Sequence, residues 1–234
     1  MTVTESLERR APGQDAWPLF GIRITTPRLE LRVVDDAVIP ELSRVARSGI
    51  HDPGHMPFGN GWTDRPDEDW HTGFARYFWL QRGRWDICSW ALPFAVFADG
   101  EPVGVQQLTA VDFPVSKTFG TGSWLALSHH GRGLGTEMRA AVLHFGFRML
   151  GSELAITGAF PTNEGSIRVS RKLGYLPNGV RRDRVRGRPV DALLFRLPRE
   201  RWEVTAHVPV EVEGFDGCER LFGLDARPAL ERSL

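Results

Sequence analysis

The chain has 234 residues, 41% of them hydrophobic, and its 29 lysines and arginines are matched by 29 aspartates and glutamates. That length sustains one well-buried α/β domain and is short for two, and zero net charge leaves no global field to draw the chain to nucleic acid or an anionic membrane. Cys88 and Cys218 lie far apart without Cys-x-x-Cys or Cys/His ligand spacing, so neither a metal site nor a disulfide framework is expected, and a cytoplasmic location suits the chain.

Residues 1–20 are polar with Pro12, Gly13 and Pro18, and read as a loosely ordered arm. They contain no apolar leader, and no run of about eighteen apolar residues follows, so neither secretion nor membrane spanning is expected. One domain is expected over 21–202, followed by an extension, 203–234, in which no signature is legible. From Ile22 to Val34 the chain reads as one extended segment, Leu29, Leu31 and Val33 alternating with Arg28, Glu30 and Arg32. Asp35 and Asp36 offer caps for a helix carrying Val38, Ile39, Leu42 and Val45 and ending at Gly49. The connection 49–64 is long and turn-rich, yet Met56, Phe58 and Trp62 argue against disorder. A second helix is predicted over 67–81, with Trp70, Phe74, Tyr77 and Phe78 at its apolar positions; rings at that spacing pack inward more often than they line a site. Leu92 to Ala98 and Val103 to Val111 form a β-hairpin about Asp99-Gly100.

The local chemistry that points to a ligand lies further on. Ser123 to Leu127 reads as a short buried strand, and Gly122 just before it suggests a bulge or a close backbone approach. The strand hands over to His130-Gly131-Arg132-Gly133-Leu134-Gly135-Thr136, whose alternate glycines can turn backbone N–H groups towards one point. A helix follows, with Met138, Ala141, Val142, Phe145 and Met149 at helical spacing and Glu137 in its first turn, so an anion held by the loop would sit at a helix N-terminus. The loop lacks the Gly-Lys-Ser/Thr ending of a nucleoside triphosphate site, and its spacing is not the Gly-x-Gly-x-x-Gly of a dinucleotide fold. Leu154 to Phe160 is another strand, Gly165 to Leu173 a short helix, and Val190 to Leu197 a closing strand after a turn at Arg186-Gly187-Arg188. Between them Arg168, Arg171, Lys172, Arg181, Arg182, Arg184, Arg186 and Arg188 face little nearby acid except Asp183. Aromatic interleaving of the single-strand-binding kind is missing there, so no nucleic-acid partner is expected.

His130-Gly131-Arg132-Gly133-Leu134-Gly135 resembles the pyrophosphate loop of the GNAT acyltransferases, Gln/Arg-x-x-Gly-x-Gly/Ala, with His130 where Gln or Arg is usual. Asn163 to Ser166 and Lys172 to Tyr175 resemble that family's second signature, and Thr26-Pro27-Arg28-Leu29-Glu30-Leu31-Arg32 resembles the first strand of its RimJ/RimL branch. The resemblance implies a single-domain α/β GNAT fold: a mixed sheet of about seven strands with flanking helices, and a cofactor slot where the fourth and fifth strands splay. It implies acetyl-CoA as donor, held by Leu125, Ala126 and Leu127 along the slot, by His130, Gly131, Arg132, Gly133, Leu134, Gly135 and Thr136 at the pyrophosphate, and by Asn163, Ser166 and Ser170 along the pantetheine. Many members carry a tyrosine seven residues after the asparagine; here that position is Ser170, and Ser170 or Ser166 is left as the candidate acid. Asp112, Glu164, His51 or His55 is the candidate base. The acceptor implied is a primary amine, on a protein N-terminus or lysine or on a small amino compound, and a homodimer is compatible with the resemblance. A longer donor such as succinyl-CoA would require a cation near the acyl end, and a non-catalytic acyl-CoA-binding module is the alternative from another class.

Overall fold

The computed structural model describes residues 13–205 and 208–224. Most of the expected N-terminal arm, residues 1–12, lies outside these, as do 206–207 and 225–234 of the extension. Nine strands form one sheet: β1 (Arg23–Thr25), β2 (Glu30–Val33), β3 (Trp90–Ala98), β4 (Glu101–Ala110), β5 (Thr118–Leu125), β6 (Leu154–Ala159), β7 (Leu176–Val185), β8 (Arg188–Pro198) and β9 (Glu211–Glu213). Their spatial order is β7-β8-β6-β5-β4-β3-β2-β1-β9. All pairs are antiparallel except β5 with β6. Helices α1 (Ile39–Arg47) and α2 (Asp67–Gly83) cover one face, and α4 (Leu134–His144) covers the other; α3 (Phe113–Ser116) and α6 (Arg199–Glu203) are single turns, and α5 (Glu164–Lys172) packs beside α4.

Burial on both faces explains why β3 reads as a nearly continuous apolar run. Leu92, Phe94 and Val96 join the cluster under α4, while Ala95 and Phe97 join Leu42, Trp70, Phe74 and Phe78 under α1 and α2. The sheet exceeds the expected seven strands for two reasons. The segment 22–34 is not one strand: Pro27 cannot donate to a ladder, and Thr26 and Leu29 close a turn, Thr26 N–H to Leu29 O at 2.9 Å, that folds β1 onto β2. β9 then adds to the free edge of β1, Arg23 opposite Glu213. The extension also reaches the core, Phe215 and Phe222 being buried and Trp85 Nε1 donating to Leu221 O at 2.9 Å.

β5 begins at Thr118, five residues before the strand expected from its apolar residues. Gly120, Thr121 and Gly122 are weak strand formers, held because β4 pairs with the strand from Gly104↔Leu125 to Thr109↔Gly120. The expected bulge at Gly122 is absent, since the ladder passes it without a shift and a Cβ there would meet nothing within 4 Å. The close approach is at Gly120, where a Cβ would stand 2.8 Å from Thr109 Oγ1.

The helix after the loop runs from α4 into a π-helical turn, Phe145–Met149, and Gly146 in that turn lies over the fully buried ring of Phe119. A Cβ on Gly146 would come 2.4 Å from Phe119 Cζ, and Phe147 packs on the same ring at 5.4 Å between centroids, leaving it nowhere to go. Gly146→Ala should therefore cost about 1–3 kcal/mol, measured as a lower urea midpoint at unchanged slope, while Gly122→Ala should stay within about 0.5 kcal/mol of the parent.

Candidate active site

β5 and β6 pair in parallel only from Thr118↔Leu154 to Gly120↔Ile156, and then part. This is the expected splay, one strand later in the count because β1 is a strand of its own. The Ala126 N–H bond to Val103 O, 2.8 Å, sets the phase of the β4–β5 ladder. By antiparallel alternation, Thr121, Ser123 and Leu125 turn their N–H and C=O groups away from β4 and towards the gap. Two of these carbonyls are met by side chains: Thr157 Oγ1 donates to Thr121 O at 3.1 Å, and His130 Nε2 donates to Leu125 O at 2.8 Å. Of the residues expected along the slot, only Leu125 presents its N–H there. Ala126 N–H is used on Val103 O and Leu127 N–H on Gly49 O, 3.1 Å. Sequence reasoning missed Thr121 and Ser123, although a step of two back from Leu125 along a strand leads to both.

The loop beyond is built from positive φ at Gly131 (75°) and Gly133 (81°); Gly135 already lies in the first turn of α4. Thr136 and Glu137 N–H both turn back to Gly133 O, whereas the N–H groups of Gly131 to Gly135 meet no acceptor among the described residues. A Cβ on Gly131 would meet nothing within 4 Å, so the bare backbone faces open space at a helix N-terminus. Pyrophosphate fits that cradle; the Arg132 side chain is exposed but does not line the cavity. His130 is committed through Nε2, so it ties the loop to β5 and only its Nδ1 edge is left for a ligand.

The loop is held by a residue whose structural part was not legible. The buried Glu137 carboxylate accepts from Thr26 Oγ1 (2.8 Å), Arg28 N–H (3.0 Å) and Arg28 Nε (2.7 Å), and Arg28 Nη1 reaches Arg132 O at 2.9 Å. The Thr26-Pro27-Arg28 turn between β1 and β2 is thus a clamp on the loop.

On α5, Asn163 is the helix cap, its Oδ1 accepting from Ser166 N–H at 3.1 Å while its side chain lines the cavity. Ser170 is fully buried; its hydroxyl donates to Ser166 O (2.9 Å) and accepts from Arg139 Nη1 (2.9 Å). Its one proton is already placed, and Ser166 Oγ accepts a longer contact from Arg139 Nη2, 3.4 Å. Among the four candidate bases, His51 and Glu164 line the cavity; His55 and Asp112 do not. His51 Nδ1 donates to Asp52 O (2.8 Å), leaving Nε2 beside Thr63 Oγ1 (2.8 Å), and Glu164 pairs with Arg168.

A cavity of about 1230 Å³ joins the loop, the gap between β5 and β6 and a pocket on the α1–α2 face. That pocket is walled by Phe58, Trp62, Phe74 and Trp124, with Trp62 5.9 Å from Phe74 and 6.3 Å from Trp124 between ring centroids. Trp70, Phe74 and Phe78 are buried core as well as wall, so the two readings of the aromatic helix are both met. Tyr77 lies in the same wall, hydrogen-bonded to Gln107 Oε1; burial pushes its pKa up against the opposing effect of that bond, so the phenol stays protonated through the neutral range. The rim is stapled by Arg186, which donates to both Asp64 oxygens (2.8 and 2.6 Å) and to Pro53 O (3.0 Å).

A family model described as Acetyltransferase (GNAT) domain matches residues 28–176. The chain belongs to the GNAT acetyltransferases. It is an N-acetyltransferase with acetyl-CoA as donor. Among solved structures, this GNAT chain is similar to Mycobacterium smegmatis RimJ in complex with CoA-disulfide, at 24% identity and TM-score 0.66, over 82% of this chain and 91% of that one. It is similar to RimL, a ribosomal L7/L12 α-N-protein acetyltransferase in complex with coenzyme A, at 18% identity and TM-score 0.61, over 74% and 95%. An acetyl transferase from Salmonella typhimurium, which modifies the N-terminal serine of 50S subunit protein L7/L12, aligns at 18% identity and TM-score 0.61, over 74% and 96%. At these identities the likeness is one of fold.

Removing the clamp should weaken the donor site without touching the ligand directly. Arg28→Ala should lower CoA affinity about five- to thirtyfold, the loss of roughly 1–2 kcal/mol of loop-ordering hydrogen bonds, with Arg28→Lys intermediate, as read by calorimetry.

Proposed function

We propose that the protein transfers acetyl from acetyl-CoA to a primary amine by direct attack within a ternary complex. The carrying observation is that one cavity opens on both faces of the sheet through the gap between β5 and β6. The donor enters from the glycine loop and the amine from the aromatic pocket, so that they meet across the strand backbone. Neither Cys88 nor Cys218 lines the cavity, which favours attack by the amine itself over a thiol-borne intermediate.

The reaction needs a neutral amine, a donor for the developing oxyanion and a proton for the departing thiolate. The N–H groups of Ser123 and Leu125, fixed by the ladder and facing the gap, supply oxyanion donors without reorganisation. His51 through Nε2, or Glu164, takes the amine proton. Ser170, the acid expected from its position, is fully buried and does not line the cavity, so we assign the thiolate's proton to Tyr77, which does line it and would exchange its bond to Gln107 Oε1 for one to the thiolate. The acceptor is a protein α-amino group, a lysine or a small amino compound; the likeness to RimJ and RimL supports the first. The protein works in the cytoplasm, with no membrane or nucleic-acid partner, as a monomer or homodimer. Among the described residues no helix is long and apolar enough to cross a membrane.

Calorimetry with acetyl-CoA should give binding to the parent and none to a Gly133→Val, Gly135→Val double variant of intact fold; release of CoA thiol should then require a primary amine. Failure of the parent to bind, or release independent of any amine, would defeat the proposal. In Tyr77→Phe, kcat should fall about a hundredfold with the KM for acetyl-CoA nearly unchanged; an unchanged kcat would remove Tyr77 from the mechanism.

A further inference from the structure

About one and a half turns past the glycine loop, α4 carries an arginine on its core-facing side. Arg139 is 4% exposed, among Met138, Ala141 and Val142, and lines the inner end of the cavity. Its guanidinium donates to Ser170 Oγ and Ser166 Oγ, both neutral, and its Nε has no partner. No carboxylate pairs with it among the described residues, although most other buried or half-buried charges in the chain are paired. Burial pulls its pKa down, against the influence of Tyr175. An unpaired guanidinium in such a place is costly, and an apolar side chain would suit the helix as well.

Two further polar atoms are stranded beside it. The Tyr175 hydroxyl and Thr121 Oγ1 are both buried and approach each other without closing a hydrogen bond of good geometry. Thr121 stands where β5 and β6 part, one residue past their last pair. Three donors of this kind, one of them cationic, lie together there: Arg139 and Thr121 line the cavity, and the Tyr175 hydroxyl stands behind them. A carboxylate at that wall supplies the acceptor that they lack.

We propose that Arg139, Tyr175 and Thr121 form a subsite for a carboxylate at the far end of the donor's acyl chain, extending the donor range from acetyl-CoA to short dicarboxylic acyl-CoAs of the succinyl kind. The proposal rests on the acyl-CoA reading above. The subsite belongs to the donor because these residues lie on the α4–α5 face of the sheet, whereas the aromatic acceptor pocket lies on the α1–α2 face. The chemistry is otherwise unaltered: the amine nitrogen forms a bond to the thioester carbonyl carbon, the C–S bond breaks, the thiolate takes a proton, and the distant carboxylate is a spectator.

The test is calorimetry of the full chain with CoA, succinyl-CoA and butyryl-CoA, the last of the same chain length but neutral at its end. Succinyl-CoA should bind at least about tenfold tighter than butyryl-CoA. The ratio should collapse to near one in Arg139→Met and shrink in Tyr175→Phe. Equal affinities in the parent overturn the proposal even if Arg139→Met does not fold, and so does a preference that survives in Arg139→Met. Binding of CoA with no preference sinks this proposal alone, whereas no binding of CoA sinks the functional reading on which it stands.

Discussion

Pairing between β5 and β6 stops after Gly120 and Ile156, and the site exists because it stops there. A parallel pair zipped to its end would satisfy the backbone of Thr121, Ser123 and Leu125; parting leaves those groups aimed at the cavity. Each hydrogen bond forgone is worth about 0.5–1.5 kcal/mol, so the opening needs support from outside the pair. β8 gives it by holding β6 from Leu154↔Pro198 to Ala159↔Leu193, and β4 does the same for β5. Both arms of the V are therefore fixed by their outer neighbours. Thr157 and His130 cap two of the exposed carbonyls, and what is left unpaired is what a ligand can use.

The balance of charge is arranged around the same opening. The arginine-dense segment from Arg168 to Arg188 looked unopposed because its acids come from elsewhere: Glu164 for Arg168, Asp191 for Arg182, and Asp64, far away in sequence, for Arg186. Asp183 is bound by Arg181, whose guanidinium holds the carboxyl below its ordinary range. Much of the apparent basic run is thus neutralised in pairs, and the paired Arg168 and Arg181 line the cavity wall together with Lys172. The ends of the site are closed in the same manner, Arg28 fastening the loop through Glu137 and Arg186 fastening the rim through Asp64.

Local chemistry made much of this legible. The Asp99-Gly100 hairpin, the two helices over the α1–α2 face and the loop-plus-helix at Gly131 can each be read from neighbours in sequence, since turn residues and periodicity act within a few positions. Asp35 closes the turn that leads into α1, accepting from Val38 N–H at 3.0 Å, but α1 itself starts after Val38 without a side-chain cap. What was not legible depends on distant partners. β5 was cut short because strand pairing, not side-chain preference, holds Gly120 to Gly122. β7 was hidden by its exposed arginines, and β9 has only three residues and forms solely because β1 offers an edge. Glu137 suggested a helix-dipole role, but its anchoring of Thr26 and Arg28 spans more than a hundred positions.

Ser170 and Arg139 are best understood as one feature. At the position where many relatives carry tyrosine, this chain has the small side chain of Ser170, and the Arg139 guanidinium lies 2.9 Å from its hydroxyl. A phenol ring at 170 would fill the space the guanidinium occupies, and a close-packed interior has no second place for either. The residue that seemed to remove a catalytic acid therefore makes room for a cation. Ser170 donates to Ser166 O and accepts from Arg139, so its hydroxyl is used on the α5 side, and the function proposed above draws the thiolate's proton from Tyr77 on the opposite face. On the functions proposed above, acid chemistry lies on the α2 side of the gap, and the α5 side holds charge at the acyl end of the donor.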